Sequence, residues 1–243
     1  MSDGALVGLV ILGWALANGL PHLVVYQATR HIYYQLPSLG LVMIAENSIT
    51  LLNLGAALLI ARVVAGERSL WDTLGWRFDA EAVFWGLAGF AAMTIWPGLV
   101  NRLTPRQIVY GPMSARCGRA GLAFASISLV LLPAFCEETM FRGLIQGEAS
   151  RILGPGLGIA LAALLFGLRH LPADLHWARV HGAGWPGWLN RVLELYGGAV
   201  ILGFARYLSE STFAAWIAHQ CAAMLIVKQF LPTAGRGRPE TDA

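Results

Sequence analysis

Long apolar stretches, separated by short segments that hold most of the charge, run along the whole chain. Between Asp3 and Arg30 there is no Asp, Glu, Lys or Arg, and the part from about Ala5 to Val25 is long enough to cross a hydrocarbon core. A second apolar run, from about Leu39 to Val64, is interrupted by Glu46, Asn47 and Asn53. A polar connection with Arg62, Glu67, Arg68, Asp72, Arg77 and Asp79 leads to a charge-free stretch from Ala82 to Val100, which Pro97 is expected to bend or end. After an arginine-bearing loop (Arg102, Arg106, Arg116, Arg119), a helix longer than a plain span is predicted from about Ala120 to Gly147, with Pro133 as a candidate kink. Ile152 to Leu168 is the next span. Pro172 to Asn190 mixes Pro, Gly, Trp, His and charge, and reads as a loop with a short interfacial helix. Two closing spans follow, from about Leu193 to Leu208 and Thr212 to Phe230. The expected fold is therefore all-α: one polytopic domain over residues 1–231, with about seven to eight transmembrane helices around a polar intramembrane cavity. The polar tail, 232–243, is expected to be disordered.

Composition supports the bilayer as solvent. Of 243 residues, 56% are hydrophobic and 13% charged, with nine tryptophans; a soluble domain carries about 25% charged residues, so too little polar surface remains to coat a water-facing globule. The net charge of +3 comes almost wholly from arginine, with Lys228 the sole lysine. No dense basic run interleaved with aromatics is present, which excludes a nucleic-acid partner on this reading. Arginine occurs in loops on both alternating sides, so the positive-inside count picks no orientation. Cys117, Cys136 and Cys221 form no paired framework and read as small packing residues. The amino terminus lacks a basic region, so the first apolar stretch is read as a retained span.

Ionisable groups at membrane depth are expensive unless paired or hydrated, and each is a functional candidate. The densest group is Phe135-Cys136-Glu137-Glu138-Thr139-Met140-Phe141-Arg142. Glu138 and Arg142 are four apart, with the acid on the N-terminal side, the favourable order for a helical ion pair. Glu137 and Arg142 are five apart, roughly 140° around an α-helix. Helical geometry thus pairs Glu138 and leaves Glu137 for chemistry. His170 closes a charge-free stretch, one turn after Phe166, against which its ring can pack. His219 lies mid-span, beside Gln220, and requires partners from other helices.

One carboxylate and two histidines permit two chemistries. Glu137 and His170 can deprotonate a water while His219 stabilises an oxyanion. Alternatively, the same groups can hold a zinc ion whose hydroxide attacks. No H-E-x-x-H helix is present, so no metal or other cofactor is expected, and zinc is the less favoured form.

Glu137-Glu138-x-x-x-Arg142, then Phe166-x-x-x-His170, then His219 in a late span resemble the three ordered motifs of the CAAX-protease and bacteriocin-processing (Abi) family. The resemblance covers Leu131 to Val227. It implies an intramembrane glutamic protease of about eight helices in a multi-pass membrane location, acting on a membrane-associated or lipidated protein or peptide. It further implies Glu137 as the water-activating base assisted by His170, Glu138 and Arg142 as the pair that orders the site, and His219 as an oxyanion donor. The chain departs from the pattern at Ala223, where the family usually places Asn; a replacement donor would come from Gln220, Asn47 or Asn53. That departure keeps a second reading open, a catalytically weak or inactive membrane immunity or scaffold protein. A transporter would show repeats or broken helices in matching halves, and none is visible.

Overall fold

The computed structural model describes residues 3–29, 39–104, 130–180 and 184–228, and among them there are helices and no strand. The first apolar run forms α1 (Asp3–Trp14), a π-helical segment (Ala15–Gly19) and α2 (Leu20–Thr29). Its flanking residues Trp14 and Leu20 keep right-handed helical torsions, so the three pieces make a single rod. α3 (Leu39–Ala65) passes unbroken through Glu46, Asn47 and Asn53. The polar connection holds a short α4 (Leu70–Leu74), started by Ser69, whose hydroxyl accepts the Asp72 amide. α5 (Ala80–Leu103) starts the same way, with the Asp79 carboxylate accepting from the Ala82 amide, and continues past Pro97 to Leu103 without ending there.

Beyond residue 130 the chain forms α6 (Leu132–Glu138), a second π-helical segment (Thr139–Gln146) and α7 (Gly147–Leu153). The helix thus runs six residues past Gly147, and Pro133 is the second residue of α6, which follows directly on helical residues 130–131. The expected start at Ala120 lies outside the described residues, as do His181 and the tail from Pro232. α8 (Pro155–Val180) and α9 (Gly184–Ser209) take in residues 172–180 and 184–190, which corrects the reading of Pro172 to Asn190 as a loop there, while 181–183 lie outside the described residues. Pro172 sits inside α8, and His170 lies ten residues before the end of that helix. The Pro, Gly and Trp content suggested a turn, but helix packing overrides local propensity here. α10 (Thr212–Lys228) closes the described chain.

Among the described residues, four helices are long and apolar enough to cross a membrane: Asn47–Ala65, Ala80–Leu103, Pro155–Pro172 and Gly184–Ser209. Large apolar side chains such as Leu59, Phe84, Ile95, Leu103 and Leu157 point outward on these helices, an arrangement that suits lipid and would aggregate in water. The protein is an all-α, multi-pass integral membrane protein.

Without a hydrophobic drive between helices in lipid, close approach through small residues holds the bundle. α10 packs along α5, and α9 packs against both α5 and α8. At the α5–α10 seam, Ala82, Ala214, Ala215 and Ala218 are fully buried. A side chain on Gly86 would come within 2.8 Å of Ile217. The turn before α10 is latched to the α4–α5 connection: the Thr212 amide donates to the Gly75 carbonyl (2.8 Å), its hydroxyl to the Leu74 carbonyl (2.6 Å), and Arg77 donates to the Ser209 carbonyl (2.7 Å). Ser211 also donates to the Arg77 carbonyl. These bonds fix the register at which α10 enters the bundle, and therefore the depth of His219.

The Leu74 end of this latch also packs on the second π-helical segment. A Cβ on Gly143 would lie 2.9 Å from the Leu74 carbonyl oxygen, which is backbone and cannot rotate away. Gly143→Ala is expected to destabilise the protein by about 1–3 kcal/mol, the usual range for overpacking. A thermal midpoint in detergent micelles equal to that of the parent would refute this packing.

Candidate active site

The helix that carries both glutamates changes its winding immediately after them. In a π-helix the backbone bonds run from i to i+5, so the turn is wider than in an α-helix, and such segments occur frequently at functional sites. The wide turn has a geometric consequence. Within Thr139–Gln146 residues five apart approach the same face, whereas Glu137 and Glu138 still belong to the α-helical part before it. Every residue from Thr139 to Gln146 is buried. Two of its side chains bind α9 one turn apart: Arg142 Nη2 donates to the Ala199 carbonyl (3.0 Å) and Gln146 Nε2 to the Gly203 carbonyl (2.8 Å).

Glu138 and Arg142 form the expected ion pair, with Nε–Oε2 and Nη1–Oε1 both at 3.2 Å and both side chains fully buried. His219 joins them. Its Nδ1 lies 2.7 Å from Glu138 Oε1, so α10 finds the partner on another helix that a mid-span histidine requires. Glu138 therefore serves an arginine and a histidine at once. With an ionised Glu138 as acceptor, the His219 ring proton sits on Nδ1. In the neutral ring Nε2 is then a lone pair, and it becomes a donor only in the imidazolium.

Phe166 stands at the centre of the group. Its ring lies 5.0 Å from the His170 ring and 6.1 Å from the His219 ring, centroid to centroid. Phe141 meets it edge-on at 5.2 Å, and the Arg142 guanidinium carbon lies 4.8 Å from its centroid. One aromatic side chain thus sets the spacing of two imidazoles and carries a cation on its face. The contact between Phe166 and His170 is the one expected from their spacing of one turn.

Glu137 is not the unpaired acid that helix geometry suggested. Arg169 Nη1 lies 2.5 Å from Glu137 Oε1, with the arginine side chain 4% and the glutamate 9% exposed. The cation comes from α8, beyond the reach of any argument confined to one helix. A partial signal for it was present in Phe166-Gly167-Leu168-Arg169-His170: positions 166, 169 and 170 fall within about 100° around a helix, so the arginine lies near the face that carries the histidine. The structure brings Glu137, Glu138, Arg142, Phe166, Arg169, His170 and His219 into one contiguous group drawn from three helices. A second group lies alongside, where Phe135 packs between Trp76, Phe213 and Trp216, and Trp76 Nε1 donates to the Thr139 hydroxyl (3.3 Å).

The three residues considered as extra donors stand differently. Gln220 is half-buried next to His219. Asn47 and Asn53 lie on α3; both amide atoms of Asn53 are buried without a hydrogen-bond partner. Among the described residues, no group of three or more His, Cys, Asp or Glu is arranged to hold a metal ion. Each carboxylate of the site faces an arginine.

Residues 119–225 match the family model described as Rce1-like, type II CAAX prenyl endopeptidase Rce1-like. Residues 119–225 form a domain of the CAAX-protease and bacteriocin-processing family. The Rce1-like domain takes in all three motif regions and reaches upstream of Leu131, into residues outside the described structure. No curated protein and no solved structure matches the chain. The family is one of membrane CAAX-type endopeptidases, which implies a protein or peptide substrate met at the membrane.

Proposed function

We propose that this protein hydrolyses a peptide bond of a membrane-associated or lipidated protein or peptide, through a water activated by Glu137 with His170 beside it and without a resident metal. The observation that supports the reading is that His170 and His219 both pack on Phe166, that His219 meets Glu138 of the Glu138–Arg142 pair, and that Glu137 meets Arg169, the residue before His170. Glu137 takes a proton from water, and the hydroxide forms its bond to the scissile carbonyl carbon. The carbonyl electron pair moves onto oxygen, where a donor must meet the charge. Collapse of the tetrahedral intermediate breaks the C–N bond, and the proton held by Glu137 passes to the leaving amine.

Glu138 and Arg142 act through His219. The acid holds the ring by Nδ1 and directs Nε2 away from itself, as a carboxylate does for the histidine of a hydrolytic triad. In the imidazolium form, Nε2–H serves as an oxyanion donor.

The test compares the membrane proteomes of cells carrying the parent protein and Glu137→Gln. Substrates are expected to accumulate uncleaved in the variant. Purified Glu137→Gln and His219→Ala proteins that cleave as well as the parent would rule the mechanism out. Activity that survives strong chelation, in protein without stoichiometric zinc, is the expected outcome for the metal-free form. A second reading, a non-catalytic membrane scaffold, draws support from Ala223, which offers no side-chain donor one turn after His219. It predicts that Glu137→Ala preserves a phenotype that deletion of the whole protein abolishes.

A further inference from the structure

Catalysis at this site needs a donor for the oxyanion, and the helix that carries His219 offers few. Ala215 and Ala223 flank His219 by one turn on either side and have no donor. His219 itself commits Nδ1 to Glu138, so its neutral ring would present a lone pair to the pocket. A permanently charged donor stands elsewhere in the group. Arg169 is 5% exposed and already touches the base Glu137 through Nη1. Its Nε and Nη1 are both buried and neither makes a hydrogen bond in the folded protein; Nη1 meets Glu137 only as an ion pair. A buried guanidinium N–H without an acceptor is costly, unless something that is bound only during turnover supplies one.

We propose that Arg169 is a catalytic residue that donates from its free N–H to the oxyanion on the scissile carbonyl; this rests on the hydrolase reading above. The guanidinium stands beside the base, which suits that task. The attacking oxygen starts hydrogen-bonded to Glu137, and the carbonyl carbon must come within bonding reach of it. The oxygen of that carbonyl therefore develops its charge close to the guanidinium that grips Glu137. As the hydroxide adds, Glu137 is protonated and its hold on Arg169 weakens, so the cation is released toward the new negative charge as that charge appears. The planar fork of arginine can face the base and the oxyanion simultaneously, which the single ammonium of lysine does poorly. When the intermediate collapses, Glu137 loses its proton to the amine and the ion pair re-forms.

The test uses the full-length protein in detergent micelles and a fluorescence-quenched, farnesylated carboxyl-terminal peptide as probe. Arg169→Met is expected to lower kcat by about 100- to 1,000-fold with KM little changed, the range seen when one oxyanion donor is lost. The loss should persist at every pH. A rate that returns to the parental value at high pH would mean that Arg169 merely keeps Glu137 ionised, and would overturn the proposal, as would a parental kcat throughout. Should Arg169→Met fail to fold, Arg169→Lys keeps the charge on Glu137 and reads the same question. Its kcat is expected to fall toward the lower end of that range, and an unchanged kcat would refute the donor role. If Glu137→Gln cleaves as fast as the parent, the hydrolase reading falls; if Glu137→Gln is dead and the arginine variants are as fast as the parent, only the role of Arg169 falls.

Discussion

Glu137→Gln is expected to lower kcat by about 100- to 10,000-fold, the contribution that a positioned general base makes to a proton-transfer step. The amide fills the same space but cannot take the proton from water. It keeps an oxygen that can still accept from Arg169, so the local geometry has a reason to persist. KM should change little, because proton abstraction is realised in the transition state and not in ground-state binding. The substitution also removes the negative charge opposite a nearly buried arginine, so stability will fall as well, and rates must be taken per folded molecule. Cleavage of the probe at the parental rate by folded Glu137→Gln would end the case for a glutamate base at this position.

The second large effect concerns stability. Glu138→Gln should destabilise the protein by about 3–5 kcal/mol, because it leaves Arg142, fully buried, without its anion. The amide is a weaker acceptor for Arg142 and for His219, so both lose a charge-assisted bond. The companion experiment is Glu138→Leu with Arg142→Leu. Removing both charges together relieves the burial penalty, and much of the lost stability should return. Recovery will be incomplete, since Arg142 also donates to the Ala199 carbonyl and lies over Phe166. Activity should not return, because His219 would have lost the acid that orients it. Thermal midpoints in detergent, read beside the cleavage rate, separate the two contributions. A double variant no more stable than Glu138→Gln would refute this account of the ion pair.

The contact of Arg169 with Glu137 shows why helix geometry alone misjudged Glu137. A single-helix argument considers only cations within one or two turns on the same helix, and from Glu137 that search finds Arg142, better placed for Glu138. The pairing of Glu138 with Arg142 was legible for this reason: both partners lie on one rod, and spacing suffices. The contact of Phe166 with His170 was legible on the same ground. Arg169 belongs to another rod, and its meeting with Glu137 depends on how α8 packs against the π-helical segment. The π winding was equally hidden. Nothing in Thr139 to Gln146 distinguishes it from an α-helix by composition, yet it alters which residues five apart share a face. The Pro172–Asn190 region failed in the opposite direction, since its turn-forming residues spoke for a loop and the packed helices absorbed them.

Apolar runs of membrane-crossing length, the scarcity of charge and the order of three polar motifs were enough to establish a helical bundle in lipid and the family to which residues 119–225 belong. Those properties follow from transfer free energies and from spacing along one chain, both of which are local. Which acid faces which cation, which nitrogen of His219 meets Glu138, and that Phe166 packs on two imidazoles were decided by the meeting of three helices. A single strand of sequence carries no distance between them, and a buried charge takes its chemistry from whatever the neighbouring helix brings within reach.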